Sequence, residues 1–584
     1  MESGLHWRSL SAFYRVRLFG NKKEEGYYMK WLKRILSVTL AMVLTVGVLA
    51  GCGGEKKGAD TGKNGQEVAS GNKGKDKESG KKKAVPDYLN ESGFPIVKEP
   101  ITLTAMVSQH VSQPAWKEML CWQEYEKMTG IKMEWQEVSS ELTEKRNLAL
   151  TSGKYPDLFY RASVPDTELL KYGSQGVFIP VNDLIEQYAP NYKKMMEDNP
   201  SAKKAAYAVD GNAYSFVQYT DSDPIQINPK LFLNKEWLAK VGKEMPTTTE
   251  ELYDVLKAFK EEDPNGNGKA DEIPWSANNL GLIMNSLYGA FGLRNRGTDH
   301  GYVDMNEETG ELRFIPIQPE YKEMLQYLHK LYKGGLIDQE IFTMDVPQLV
   351  AKGDQDLVGA FSFTNTEQIG HTGEKNFEGL HEALEGPHGD KLWAKRGSVG
   401  ARGAFIITDK CKYPEAAARW IDYFYSEEGG KLAFLGVEGK SYEKKPDGSY
   451  EFLDDVVNNI PEGSSFDQVI SKYVTYTGGG IPALQKTEYF KGGETHPAAL
   501  KAAGDMASYT PKEIWSKFNY TLEEIDRKGA LESDINGYIS QMYPQFIQGK
   551  LSFKKWDSYV DQIKKMGLDE YMDIYTKGYK RYSR

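Results

Sequence analysis

The feature that most restricts the fold is an alternation at the start of the hydrophobic body. Ile101–Val107 reads as a strand. Trp116, Met119, Leu120 and Met128 then follow a roughly helical period, and Gly130 stands where a glycine closes a helix. Ile131, Met133 and Trp135 alternate with polar residues as a second strand. Residues 141–152 read as a helix ended by Gly153, and Pro156–Tyr160 as a third short strand. Strand, helix, strand, helix, strand implies βαβ units and therefore an α/β fold on a parallel sheet. Ligands of such sheets sit beyond the carboxyl ends of the strands, which puts Tyr160 and Arg161 where a ligand can be met.

The rest of the body keeps the same texture. Pro246 to Glu251 supplies N-caps with a glutamate three residues on, and Leu252, Val255, Leu256 and Phe259 form one helical face. Residues 319–340 form an amphipathic helix closed at Gly334-Gly335, and Pro414–Tyr425 another with proline in its first turn. The tail from 545 to 584 is helical and amphipathic. A chain of 584 residues admits several folding units or two large lobes. There is no internal repeat or heptad run.

The N-terminus is an address. From Met29, the basic Lys30, Lys33 and Arg34 precede an uncharged apolar stretch, Ile35 to Ala50, in the layout of a secretory signal (residues 29–51). Leu49-Ala50-Gly51-Cys52 has the form of a bacterial lipobox, whose cysteine receives a diacylglycerol and further acyl chains such as palmitate. A single acyl chain holds weakly, so a stable anchor at Cys52 needs two or three. A signal normally starts a chain, so residues 1–28 read as an extension ahead of the true start at Met29. Residues 53–83 contain no aromatic residue and no hydrophobic run, which predicts a disordered tether within 52–97. Its r.m.s. reach is roughly 30 Å, and its lysines suit an anionic membrane surface or a solvated spacer.

Asp263 to Pro274 carries explicit metal chemistry. Side-chain oxygens fall at loop positions one, three, five and nine as Asp263, Asn265, Asn267 and Asp271, and Gly268 occupies the sixth position, where an EF-hand turns sharply. Lys269 would contribute its carbonyl. The twelfth position is Pro274 in place of the usual bidentate glutamate, and Glu272 can substitute for it. The set suits a structural Ca²⁺; the competing reading is an Asn-Gly turn capping the preceding helix.

Composition excludes other classes. A net charge of -10 argues against non-specific nucleic-acid binding. Three cysteines exclude a disulfide-dense scaffold and a four-cysteine zinc site. Cys121 on a helical face reads as a buried filler, and whether it pairs with Cys411 is open. There is no zincin, nucleophile-elbow or Walker motif, and an acidic pair such as Glu427-Glu428 carries no weight among 83 acidic residues.

Taken together, the lipobox at Cys52, Ser152–Asp157 (SGKYPD), Lys235–Leu238 (KEWL), the Asp263–Pro274 loop followed by Trp275, Leu331–Leu336, Tyr413–Ala417, Gly436–Gly439 and the tail from Gly567 resemble the extracellular solute-binding lipoproteins of bacterial ABC importers. The similarity is to the large family-1 type that includes the LplA-like lipoproteins and the alginate-oligosaccharide-binding proteins, and it covers roughly residues 98–584. The resemblance implies a type II periplasmic-binding-protein-like fold, with two lobes joined by hinge strands and crossings near Tyr219, Ala360 and Thr408. Lobe one would be 98–218 plus 360–408, and lobe two 219–359 plus 409–584. It further implies Ca²⁺ in the 263–274 loop, an oligosaccharide in the cleft, an ABC permease as partner, and a monomer lipid-anchored on the outer face of a Gram-positive-type cell membrane. The residues expected in the cleft are Tyr160, Arg161, Tyr219, Trp275, Trp393 and Arg402, the aromatics stacking on sugar rings and the arginines bonding hydroxyls or a uronate carboxylate. The alternatives are an anchored polysaccharide lyase or glycosidase, and an adhesion or signalling lipoprotein.

Overall fold

The computed structural model describes residues 85–371, 373–458, 460–461, 466–475 and 479–584. The signal segment, Cys52 and the 53–83 tether lie outside the described residues. Ten strands organise the site: β1 Ile101–Ser108, β2 Ile131–Val138, β3 Leu158–Val164, β4 Tyr219–Asp221, β5 Lys230–Asn234, β6 Ile273–Ser276, β7 Val358–Phe363, β8 Phe377–Gly379, β9 Gly403–Ile407 and β10 Leu484–Lys486.

The first sheet has the order β9-β3-β1-β2. β1 lies parallel to β2 from Ile101↔Ile131 to Ser108↔Val138, and parallel to β3 with Val107 opposite Tyr160. The expected βαβ units are present. Helices Leu120–Thr129 and Leu142–Ser152 end at Gly130 (φ 74°) and Gly153 (φ 69°), left-handed positions that glycine occupies without a Cβ penalty. β9 closes the sheet antiparallel to β3, with Phe405 opposite Tyr160. Beneath it Trp116, Trp122, Trp135, Tyr160, Phe405 and Trp420 form one aromatic core; the Trp122 and Trp420 rings stack at 5.4 Å.

The second sheet has the order β8-β5-β7-β6, with β6 parallel to β7 and β5 antiparallel to both β7 and β8. Helices Thr249–Glu261 and Pro319–Lys333 supply Leu252, Val255, Leu256, Phe259, Leu325 and Leu328 to its core. The C-terminal helices Leu522–Ile547, Trp556–Lys565 and Leu568–Tyr582 complete that core. A third, two-stranded sheet pairs β4 with β10 in parallel, Tyr219 opposite Leu484.

The cores divide the chain differently from the expected partition. The first gathers residues between 89 and 225 and again between 399 and 490; the second gathers residues from 227 to 393 and from 503 onward. Residues 409–490 therefore belong to the first lobe, and 360–393 to the second. Helix Pro414–Asp422 explains the first correction, because the Tyr125 hydroxyl donates to the Trp420 carbonyl at 2.6 Å across nearly 300 residues. The sheet register explains the second, since β7 and β8 both flank β5. The chain crosses between cores at 219–227, 393–399 and 484–499. Ala360 and Thr408 lie within one lobe each, at β7 and just after β9.

Candidate functional site

The crossings frame a cavity of about 570 Å³. It lies at the carboxyl end of β7, where an open α/β sheet receives ligands. From the second lobe come Phe363, Thr364, Asn365, Glu367 and Gln368. Asn365 caps the short helix Thr366–Ile369, its Oδ1 accepting the Glu367 N–H at 3.1 Å. From the first lobe come Phe466, Gly479 and Gly480, and from the crossings Gln218, Ile225, Asn228, Arg396, Gln485, Phe490, Gly493 and Glu494. Gly493 is needed for the close approach: a Cβ there would lie 2.2 Å from Asn365 Nδ2.

The wall is built from carboxamides, three phenylalanines and a few charges. Gln485 Oε1 accepts from Thr220 Oγ1 at 3.2 Å, which ties the wall to the β4–β10 pair. Gln226 Nε2 donates to the Arg396 carbonyl at 3.1 Å and to Ser398 Oγ at 3.2 Å, fixing the middle crossing. The Arg396 Nε is buried without a partner among the described residues, and burial holds the guanidinium below its ordinary pKa against Asp299 and Glu494. Asp299 accepts the Gly397 N–H at 3.3 Å on Oδ1, leaves Oδ2 unpartnered, and is pushed above the usual carboxylate range by burial. Behind the wall, Lys230 Nζ donates to the carbonyls of Pro224 (2.8 Å) and Thr364 (3.2 Å). Burial pushes its pKa down to about 8, opposed by Glu494. His496 Nδ1 sits 3.3 Å from Glu367 Oε1.

None of the six residues expected in the cleft lines this cavity. Tyr160 is fully buried, its ring 5.4 Å from Trp116. Arg161 is buried beside it at φ 51°; its Nη1 donates to the Thr475 carbonyl at 3.0 Å, and a Cβ at Gly480 would lie 3.3 Å from its Cγ. It stands behind the wall and holds it. Tyr219 is buried in β4. Trp275 Nε1 donates to Ser362 Oγ at 3.1 Å inside the second core, and Trp393 Nε1 to the Pro229 carbonyl at 3.2 Å. Arg402 crosses between the lobes on another flank, pairing with Asp166 at 3.2 Å and donating to the carbonyls of Lys517 (2.6 Å) and Phe518 (3.1 Å). All six are buried. The polar run Thr364–Gln368, directly after the apolar β7, was the readable signal for this wall.

The 263–274 loop folds as an EF-hand does at its start. Asp263 accepts the backbone N–H groups of Asn267 (3.1 Å) and Gly268 (3.0 Å), and Asn267 Oδ1 accepts that of Lys269 at 2.8 Å. Gly266 and Gly268 are left-handed, φ 73° and 72°. Asp271 accepts from the Asn267 amide at 2.9 Å, which holds its pKa low. Glu272 Oε1 is buried without a partner among the described residues, and desolvation with the neighbouring Asp263 and Asp271 raises its pKa. An orphaned carboxylate beside two others is the electrostatic state that a divalent cation relieves. Among the described residues no group of three or more His, Cys, Asp or Glu side chains forms a metal set by itself, so asparagine and backbone oxygens would have to complete this one.

Comparison with known proteins gives a consistent picture. The family model described as bacterial extracellular solute-binding protein matches residues 108–431. The fructooligosaccharide ABC transporter substrate-binding protein FusA of Streptococcus pneumoniae is 32% identical over 516 residues, 85% of this chain and 93% of that protein. Its structure in complex with kestose superposes with a TM-score of 0.67 at 29% identity, covering 83% of this chain and 99% of the other; an EF-hand mutant of it has also been solved with fructo-nystose. The alginate-binding protein AlgQ2, solved without calcium ion, gives a TM-score of 0.66 at 25% identity, covering 83% of this chain and 99% of the other.

Proposed function

The chain belongs to the bacterial extracellular solute-binding protein family, and from that premise we propose that it captures a short oligosaccharide and delivers it to an ABC permease. The observation that carries the reading is the cavity itself. Both lobes and the crossings contribute to it, and its wall holds five carboxamides and three phenylalanines. Carboxamides both donate and accept, as sugar hydroxyls do, and phenyl faces suit the apolar faces of sugar rings. The volume falls within the about 300–1,000 Å³ of small-ligand sites. FusA, similar over most of this chain, is described as binding fructooligosaccharide.

The mechanism follows from where the wall residues sit. Phe363 to Gln368 belong to one lobe, Phe466 and Gly480 to the other, and Arg396, Gln485 and Glu494 to the joint. A ligand touching all three favours the state in which the lobes are together, which is the differential contact that a population shift requires. The relatives are binding proteins of transporters.

Calcium belongs to the same reading. Asp263, Asn265, Asn267, Asp271, Glu272 and the Lys269 carbonyl would hold it, with a structural role between helix Thr249–Glu261 and β6. The EF-hand mutant of FusA and the calcium-free AlgQ2 support this. Acylation at Cys52 would keep a monomer at the outer face of the membrane; among the described residues no helix is long and apolar enough to cross one. Native mass spectrometry of the purified protein with a mixed oligosaccharide library tests the proposal: one intact sugar retained supports it, and shortened sugars would replace it with an enzyme.

A further inference from the structure

The lobes also touch at a second place, away from the cavity. Arg402 of the first lobe pairs with Asp166 at 3.2 Å and donates to the Lys517 (2.6 Å) and Phe518 (3.1 Å) carbonyls of the second. Asn519 of the second lobe donates to the Lys204 carbonyl at 2.7 Å. Lys204 Nζ in turn donates to the Tyr582 carbonyl and lies 4.8 Å from the centre of the Tyr582 ring. A void of about 30 Å³ sits in this contact, with Asp166, Leu169 and Arg402 on one side and Asn519, Tyr520 and Ile525 on the other. None of these residues lines the ligand cavity.

The crossing 393–399 runs between the two places. Arg396 lines the cavity, whereas Gly397 abuts the opposite segment: a Cβ there would lie 2.6 Å from Asp299 Oδ2 and 3.1 Å from the Trp515 carbonyl oxygen. Just beyond the crossing, Gly400 approaches Gln218 of the cavity and Arg402 reaches Lys517 and Phe518. The crossing therefore acts as a fulcrum. A rotation about it that brings Phe466 and Gly480 toward Thr364–Gln368 draws Arg402 and Lys204 away from residues 517–519. Little opposes that parting. Water can replace the hydrogen bonds to carbonyl oxygens, and Arg402 Nε and Tyr520 Oη, buried and unpartnered among the described residues, gain water when the contact opens.

Given the transport reading above, we propose that this flank contact is a counter-latch that sets ligand affinity from outside the cavity. It favours the open cleft, and ligand-driven closure parts it.

The test compares the purified full chain with a Lys204→Ala, Asn519→Ala double variant, whose side chains belong to neither core, and with Arg402→Gln. Titration calorimetry in calcium-containing buffer uses kestose, maltotriose and xylotriose as probes. Each variant should bind the sugar that the native protein binds about three- to tenfold more tightly, because the bonds it lacks exist only in the open state. Hydroxyl-radical footprinting adds a readout that a static contact would not move: sugar binding to the native protein should increase labelling of Tyr520, now 9% exposed. If Arg402→Gln fails to fold, the double variant decides. Unchanged or weaker binding overturns the counter-latch and leaves the transport reading standing, and so does Tyr520 labelling that sugar does not raise. If none of the three sugars binds, the oligosaccharide reading falls and the contact is read without ligand. Small-angle scattering should then give the double variant a smaller radius of gyration than the native protein, and equal radii overturn the counter-latch as well.

Discussion

The two lobes present the same architectural position in opposite ways. At the carboxyl end of β3 in the first lobe, Tyr160 and Arg161 turn inward, to an aromatic core and a backbone carbonyl. At the carboxyl end of β7 in the second, Phe363 to Gln368 stay at the cavity. Both ends obey the rule for ligand sites in open sheets. Burial separates them. A side chain packed inside the protein is scaffold, however well placed, and one that lines the cavity is available to a ligand.

The contrast can be broken most sharply in the first lobe. Trp420→Ala removes a ring that stacks on Trp122 and Phe405, and should cost about 3–5 kcal/mol in urea unfolding while the folded fraction keeps its ligand affinity. A loss under about 1 kcal/mol would mean that the aromatic cluster is not a packed core.

The next effect is one of pH. Asp422 is buried in the first lobe, accepting from the Tyr192 N–H and the Asn191 amide, each at 2.8 Å, and burial pushes its pKa up to about 7. The raised folded value means that the ionised form is the disfavoured one. The penalty is full above about pH 7 and is relieved as pH falls toward the unfolded carboxylate value. Compared with Asp422→Asn, the native protein should therefore gain about 2–4 kcal/mol between pH 7 and 4. Parallel stability curves for the two proteins would remove Asp422 as the cause.

Calcium removal sharpens the second lobe's side of the comparison. With calcium at a hundredfold over its dissociation constant, chelation should lower stability by about 2.7 kcal/mol. The reading predicts a drop in melting temperature that is restored by calcium and absent in a Glu272→Gln, Asp263→Asn double variant. The smallest expected effect is at Asn365. Losing its cap on Thr366–Ile369 should cost about 1 kcal/mol, whereas ligand affinity falls by more than that stability change explains. Unchanged affinity in Asn365→Ala, measured by calorimetry, would take Asn365 out of the site.

Local periodicity made the beginning of the fold readable. Residues 101–160 alternate with clear helical and strand periods, and Gly130 and Gly153 mark helix ends that the backbone confirms at positive φ. The lobe boundaries were not readable, because they depend on pairings between distant segments: β9 on β3, and Trp420 on Tyr125. Nothing near residue 414 states which core that helix will join. The cavity was half readable. The strand-end rule applied, but it was applied to the aromatic-rich strand, whereas Thr364, Asn365, Glu367 and Gln368 after β7 line the cavity. Arg396 and Glu494 had no local signal, because their relevance comes from the crossings that bring them together.

The pairing of β9 with β3 also sets an order of events during synthesis. The strand that completes the first sheet is encoded after nearly all of the second sheet. At about 5–20 residues per second, the intervening stretch of about 240 residues takes on the order of 10–50 s to emerge from a ribosome. Throughout that time β3 has an open edge and Tyr160 lacks its Phe405 cover. The N-terminal half is thus a late finisher despite being made first, and a folding rate governed by such distant contacts is slow. A nascent chain of this kind would depend on a holdase-type chaperone, because the second core waits in turn for the C-terminal helices from Leu522 to Tyr582.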